Sequence, residues 1–100
     1  MIESLTGVQV IDAALYAKYR ERMTPLLHAC GGSFGVDVWV SEVLLSPSAQ
    51  PFNRLFTIRF PSLAVREAFF ASPEYLSVKK ELFDPSVAAR SELSRSEILG

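Results

Sequence analysis

Six residues carry side chains that could grip a small molecule if the fold brought them together: Tyr16, Tyr19, Trp39, Arg59, Glu74 and Tyr75. Tyr16 and Tyr19 stand three apart, about one helical turn, so on a helix they would line the same groove. Phenol hydroxyls above an apolar floor suit a small aromatic or acyl ligand, with the rings supplying contact area and the hydroxyls fixing orientation. Taken singly, each of these residues also fits ordinary core packing, its polar atom reaching backbone or solvent.

Other chemistry finds little support. The one histidine, His28, shares a helical face with Glu21 and Thr24 rather than with Tyr19, Met23 and Leu26, and reads as a surface residue instead of a base. Cys30 falls on the apolar stripe near a helix carboxyl end, where the dipole disfavours a thiolate, so it reads as a small buried hydrophobe. No His, Cys, Asp and Glu cluster has metal-ligand spacing. No Ser-His-Asp or Gly-x-Ser-x-Gly arrangement is present. Gly31-Gly32 follows a helix instead of preceding one, so it is no phosphate loop. Neither a metal nor a cofactor is expected.

The elements that must position these residues follow from the apolar pattern. Glu3 to Ile11, with Val8 and Val10, reads as a first strand, and Asp12 is placed to cap a helix. From Ala13 the positions Leu15, Tyr16, Tyr19, Met23, Leu26, Leu27 and Cys30 recur at three and four, a core-facing stripe. Pro25 predicts a kink near Glu21 to Pro25, and Gly31-Gly32 ends the helix. Ser33 to Leu45 alternates with period two and predicts a second strand; Ser46 to Pro51 is a turn by composition. Arg54 to Phe60 is a third strand. Ser62 caps a helix through Phe70, and Ser72 caps another that has Pro73 at its first position and Glu74 on the positive end of its dipole. Asp84-Pro85 should interrupt that helix, and Ser91 to Leu99 alternates weakly as a last strand. The order β-α-β-β-α-β predicts an α+β, ferredoxin-like protomer, a four-stranded antiparallel sheet with helices on one face.

Composition sets outer bounds. One hundred residues make a single domain, 1–100, and 49% hydrophobic with 21% charged residues exclude a disordered chain. A net charge of -1 gives no electrostatic reason to bind nucleic acid or acidic membranes. A single cysteine forbids an internal disulfide and fits a reducing compartment. Met1-Ile2-Glu3-Ser4 lacks the basic region of a secretory signal, and no apolar run approaches the roughly 20 residues of a membrane span. A cytoplasmic protein is expected.

If Val36, Val38, Val40, Phe56, Ile58 and Phe60 face the helices, the opposite sheet face carries Asp37, Trp39, Ser41, Leu55, Thr57 and Arg59. A Trp and a Leu at the centre of a wet face are unusual, and the expectation is a homodimer that stacks two such faces. A hairpin turning about Ser48 would place Asp37 opposite Arg59, an ion pair setting register or a polar handle for a ligand.

Several of these stretches together resemble the domain-of-unknown-function 1330 family of the dimeric α/β-barrel superfamily. The resemblance rests on Tyr16-Ala17-Lys18-Tyr19-Arg20, on Gly31-Gly32 followed by Phe34, on Arg54-Leu55 leading into Phe60-Pro61-Ser62, and on Ser72-Pro73-Glu74-Tyr75. It spans nearly the whole chain and implies a ferredoxin-like protomer and a homodimer. The chain departs from the family pattern at Asp37-Val38-Trp39, at Arg59 and near Leu82, where an Arg is usual. The functional expectation is a homodimeric α/β-barrel protein of uncharacterised role that binds a small organic molecule. Two alternatives stand beside it: a cofactor-independent enzyme, monooxygenase- or isomerase-like, acting on a small metabolite, and a purely structural or regulatory dimer.

Overall fold

The computed structural model of the chain describes residues 1–98. The elements run β1 (Ile2–Val10), α1 (Ala13–Ala29), β2 (Ser33–Trp39), β3 (Arg54–Phe60), α2 (Leu63–Ala71), α3 (Pro73–Val78) and β4 (Val87–Glu97). A π-helical turn, Lys79–Phe83, continues α3. The four strands make one antiparallel sheet in the order β2-β3-β1-β4. The core lies between the sheet and the helices, where Tyr16, Tyr19, Met23 and Leu27 of α1 meet Val8, Phe56, Ile58 and Phe60. One helical layer on one sheet accounts for the 18 Å short dimension and leaves the other sheet face without a helix over it.

Local chemistry sets most boundaries. The Asp12 carboxylate accepts from the Leu15 amide at 3.0 Å, and the Ser62 and Ser72 hydroxyls accept from Val65 and Tyr75, each meeting an amide the helix cannot satisfy itself. At the far end of α1, Gly31 adopts φ +84° while its amide reaches His28 O at 3.0 Å and the Gly32 amide reaches Leu27 O at 2.9 Å. That paired closure uses the left-handed conformation that glycine adopts cheaply. α1 runs as one helix from Ala13 to Ala29 with Pro25 inside it.

β2 departs from expectation in a way that rearranges both faces of the sheet. A hairpin turning about Ser48 would have placed Asp37 opposite Arg59. Instead Phe34 pairs with Ile58, after which Asp37 pairs with Phe56, Val38 with Leu55 and Trp39 with Arg54. Between the two stretches lies a bulge, Gly35-Val36, which inserts one extra residue and so exchanges the faces of everything beyond it. The Thr57 hydroxyl holds the bulge by accepting from the Val36 amide at 2.8 Å, and a side chain on Gly35 would collide with that same oxygen. Asp37 and Trp39 therefore lie on the helix side with Phe56, and Val38 lies on the outer side with Leu55, Thr57 and Arg59. The outer face expected to carry Asp37 and Trp39 carries neither. The expected Asp37–Arg59 pair is replaced by two others: Asp37 with Arg54 and Arg20, and Arg59 with Glu3.

β2 also stops at Trp39, six residues short of the expected Leu45. Beyond Val40, whose amide donates to Asn53 O, the chain is irregular. Asn53 ends the excursion by accepting from the Val10 amide at 2.7 Å and donating to the Val10 carbonyl at 2.9 Å. Leu44 and Leu45 stand 87% and 94% exposed in this segment. β4 begins four residues earlier than expected; Leu99, the far end of the expected strand, lies outside the described residues.

Candidate functional site

The three tyrosines converge. α1 sets Tyr16 and Tyr19 on its inward stripe with ring centroids 5.6 Å apart, and the Ser72-Pro73 start of α3 delivers Tyr75 to the same place. The Tyr19 and Tyr75 hydroxyls share a hydrogen bond of 2.8 Å, and the Tyr19 ring lies 4.9 Å from Phe83. Burial pushes all three phenols above their ordinary range. For Tyr19 the Tyr75 hydroxyl adds to the effect of burial, whereas for Tyr16 the Arg20 guanidinium, donating at 2.9 Å, tempers it. At neutral pH these groups are protonated donors and acceptors, with no phenolate to act as a base.

Behind Tyr75 the helix layer parts from the sheet. A cleft of about 380 Å³ opens between α2, α3, the π turn and β4, walled by Phe70, Tyr75, Leu76 and Phe83 and by the charged Arg66, Lys79, Arg90, Glu92 and Arg95. Phe70, Tyr75 and Arg90 also border an inner cavity of about 20 Å³ beside Thr6, room for roughly one water. The Thr6 hydroxyl is fully buried there without a hydrogen-bond partner. Such an orphan costs about 1–3 kcal/mol unless water or a ligand meets it.

The charges of the cleft are ordered around one carboxylate. Glu92 accepts from Arg95 at 2.7 and 3.0 Å and from Arg66 at 2.8 Å. Hydrogen bonding from Arg95, reinforced by the charge of Arg66, holds the Glu92 carboxyl below its ordinary range. Arg66 is nine-tenths buried against Phe70, with its guanidinium 5.2 Å from the ring, and burial followed by the nearby Arg95 charge pulls its pKa down. Lys79 donates to Asp84, outside the cleft. Arg90 forms no ion pair among the described residues.

A family model described as a domain of unknown function, DUF1330, matches residues 4–90. The chain belongs to the DUF1330 family. No curated protein matches it in sequence. Among solved structures it resembles a protein of unknown function from Rhodopseudomonas palustris, 21% identical over 99% of this chain and 82% of that one, with a TM-score of 0.77. It also resembles a Dabb-family protein with a ferredoxin-like fold from Mesorhizobium loti, 15% identical over 99% and 97% of the two chains at 0.63. A dimeric ferredoxin-like protein of unknown function from Thermobifida fusca is 12% identical over 97% and 90%, at 0.62. These likenesses show the ferredoxin-like fold of this DUF1330 chain and carry no chemistry with them.

Of the six residues singled out in the DUF1330 sequence, all but Arg59 lie on the helix side of the sheet. Tyr16, Tyr19 and Tyr75 meet in the core. Trp39, 56% exposed, stacks on the Arg54 guanidinium at 4.5 Å, and Arg54 in turn lies 5.4 Å from the Tyr16 ring. Asp37 accepts from Arg54 at 2.7 and 2.8 Å and from Arg20 at 3.2 and 3.4 Å. Burial alone would raise the Asp37 carboxyl, but the bonds and charges of the two arginines outweigh it and hold it below the ordinary range. With its oxygens thus occupied, Asp37 is a clamp for the β2 edge. Arg59 lies on the outer face with Glu3, and Glu74 borders a separate apolar groove near Cys30 and Phe69. His28 is exposed, as expected, and no His, Cys, Asp and Glu group among the described residues could hold a metal.

Sequence reasoning missed the residues that shape the cleft. Arg66 stands on the buried stripe of α2, three residues before Phe69, and a charge on an apolar stripe was a visible signal. Arg90 and Glu92 alternate along β4, and a bulge between Leu5 and Thr6 of the partner strand's register puts Arg95 on the same side.

Proposed function

We propose that this DUF1330 protein is a homodimer that binds a small organic molecule in the cleft between its helix layer and β4. The observation that carries the reading is the cleft itself, a volume of about 380 Å³ floored by Tyr75 and walled by Phe70 and Phe83, with the unpartnered Thr6 hydroxyl in the cavity behind. That volume is at the small end of the roughly 300–1,000 Å³ typical of ligand sites. Tyr75 and Arg90 would meet the ligand, with Tyr19 behind them bonded to the Tyr75 hydroxyl; Tyr16, Trp39 and Arg54 lie outside the cleft wall. Arg59 and Glu74 have no part in it.

The homodimer is supported by the helix-free sheet face, where Val38 is exposed beside half-buried Leu5 and Leu55 and only the Gly7 end is covered, by Phe52 and Ser48 of the chain's own 40–53 segment, and by the Thermobifida relative described as dimeric. Two such faces stacked would remove these side chains from water. A cytoplasmic location belongs to the same reading and rests on the single, half-buried Cys30. Among the described residues no helix is long and apolar enough to cross a membrane.

A screen of small aromatic and acyl molecules by amide NMR tests the binding reading. Ligands should move the amide signals of Phe70, Tyr75, Leu76 and Phe83, and Leu76→Trp, which fills the cleft from its rim, should abolish the shifts without unfolding the protein. Hits that perturb only the groove around Leu26, Cys30 and Glu74, or that bind Leu76→Trp unchanged, would contradict it.

A further inference from the structure

We infer that the ligand of the cleft is a small organic acid, its carboxylate held at the Arg66–Arg90 end and its apolar body laid against Phe70, Leu76 and Phe83. This rests on the binding reading above and specifies its chemistry. Four cationic side chains line the cleft and a single carboxylate, Glu92, faces them. Glu92 occupies Arg95 with both oxygens and one amino group of Arg66, which leaves the Arg66 Nε–H buried and without a partner. Arg90 reaches both the cleft and the inner cavity and has no carboxylate partner among the described residues. The site therefore holds more positive charge than it neutralises, and it has done so at the cost of burying Arg66. A second anion entering the cleft would relieve that imbalance through charge-assisted bonds.

The remaining walls select which anion. Glu92 already shows that a planar carboxylate fits the guanidinium forks in this space, the geometry arginine favours. Inorganic phosphate would leave the faces of Phe70, Leu76 and Phe83 in water. A branched or aromatic monocarboxylate covers them.

The test is a titration of the full chain, followed by amide NMR, with benzoate, phenylacetate and 4-methylpentanoate, each against its own neutral amide and against inorganic phosphate. At least one acid should shift Tyr75, Leu76, Phe83 and Arg90 saturably and bind at least about tenfold more tightly than its amide, since one charge-assisted bond is worth that much. Arg90→Gln, at an exposed position, should keep its melting temperature and lose that tenfold preference; Arg90→Lys should recover part of it. Amides binding as well as acids would overturn the acid inference and leave the small-molecule reading standing. Phosphate shifting the same signals as strongly as the acids would also overturn it, as a generic anion site. If neither acids nor amides perturb the cleft, both readings fail.

Discussion

Tyr19 and Tyr75 join α1 to α3 through one hydroxyl–hydroxyl bond, and each hydroxyl is buried with its ring. Tyr19→Phe should cost about 1 kcal/mol in urea unfolding, the net worth of a neutral hydrogen bond together with the Tyr75 oxygen it leaves alone. The raised phenol pKa values fix a sign at high pH. Below pH 10, the ordinary value, each phenol is neutral in both states. Above it the unfolded chain ionises first, so stability falls as pH rises. Tyrosine absorbance at 295 nm should therefore rise only together with loss of helix, and a phenol ionising near pH 10 in the intact fold would contradict this. Asp37 and Glu92 act at the other end of the scale. Their folded pKa values lie below the ordinary 3.8 and 4.5, so their contribution is present above those values and is lost as pH falls through the folded ones. Asp37→Asn should flatten the fall in melting temperature below about pH 4, where protonation removes what the mutation has already taken. The Tyr16–Tyr19 pair was readable from spacing alone, because three residues make a helical turn wherever the helix lies, whereas Tyr75, 56 residues from Tyr19, joins them only through the fold. The partners of Asp37 were not, because Arg20 and Arg54 reach it only after the register is set.

Elements were legible where their signals are local. Asp12, Ser62, Ser72-Pro73 and Gly31-Gly32 each act within five residues, and each bounds a helix where expected. The bulge in β2 has no such signal: it depends on the Thr57 hydroxyl, twenty-one residues from Val36 along the chain. Period-two alternation through Phe34 to Val40 is real in the sequence and misleading about the faces, since one inserted residue inverts all that follows. Gly35→Val should crowd Thr57 and cost about 1–3 kcal/mol, as overpacking of a close contact does. Chemical denaturation would measure it, and an unchanged midpoint would argue against the bulge. β4 read weakly for a different reason. Its inward positions are Arg90, Glu92 and Arg95, charged because they line a cleft instead of a core, so the apolar alternation that marks a half-buried strand is missing there.

At the scale of the whole molecule, a single helical layer leaves the outer sheet face free of helices, and its Leu5, Val38 and Leu55 are the side chains a second copy would cover. Leu55→Arg would put a charge in the middle of a stacked interface, and in sedimentation velocity it should convert a dimer of twice the chain mass into a monomer. A wild-type protein that sediments as a monomer at micromolar concentration would refute the assembly. The cleft lies on the opposite side of the sheet, so the two surfaces can be tested separately, and Leu55→Arg should still bind whatever the cleft binds. The most direct measurement is a crystal structure of the protein with a bound small molecule found by the screen. Electron density for that molecule is expected between β4 and the α3 turn, in contact with Tyr75, Phe83 and Arg90. Density confined to the groove beside Cys30 and Glu74, or a cleft closed by its own side chains with the molecule elsewhere, would contradict it.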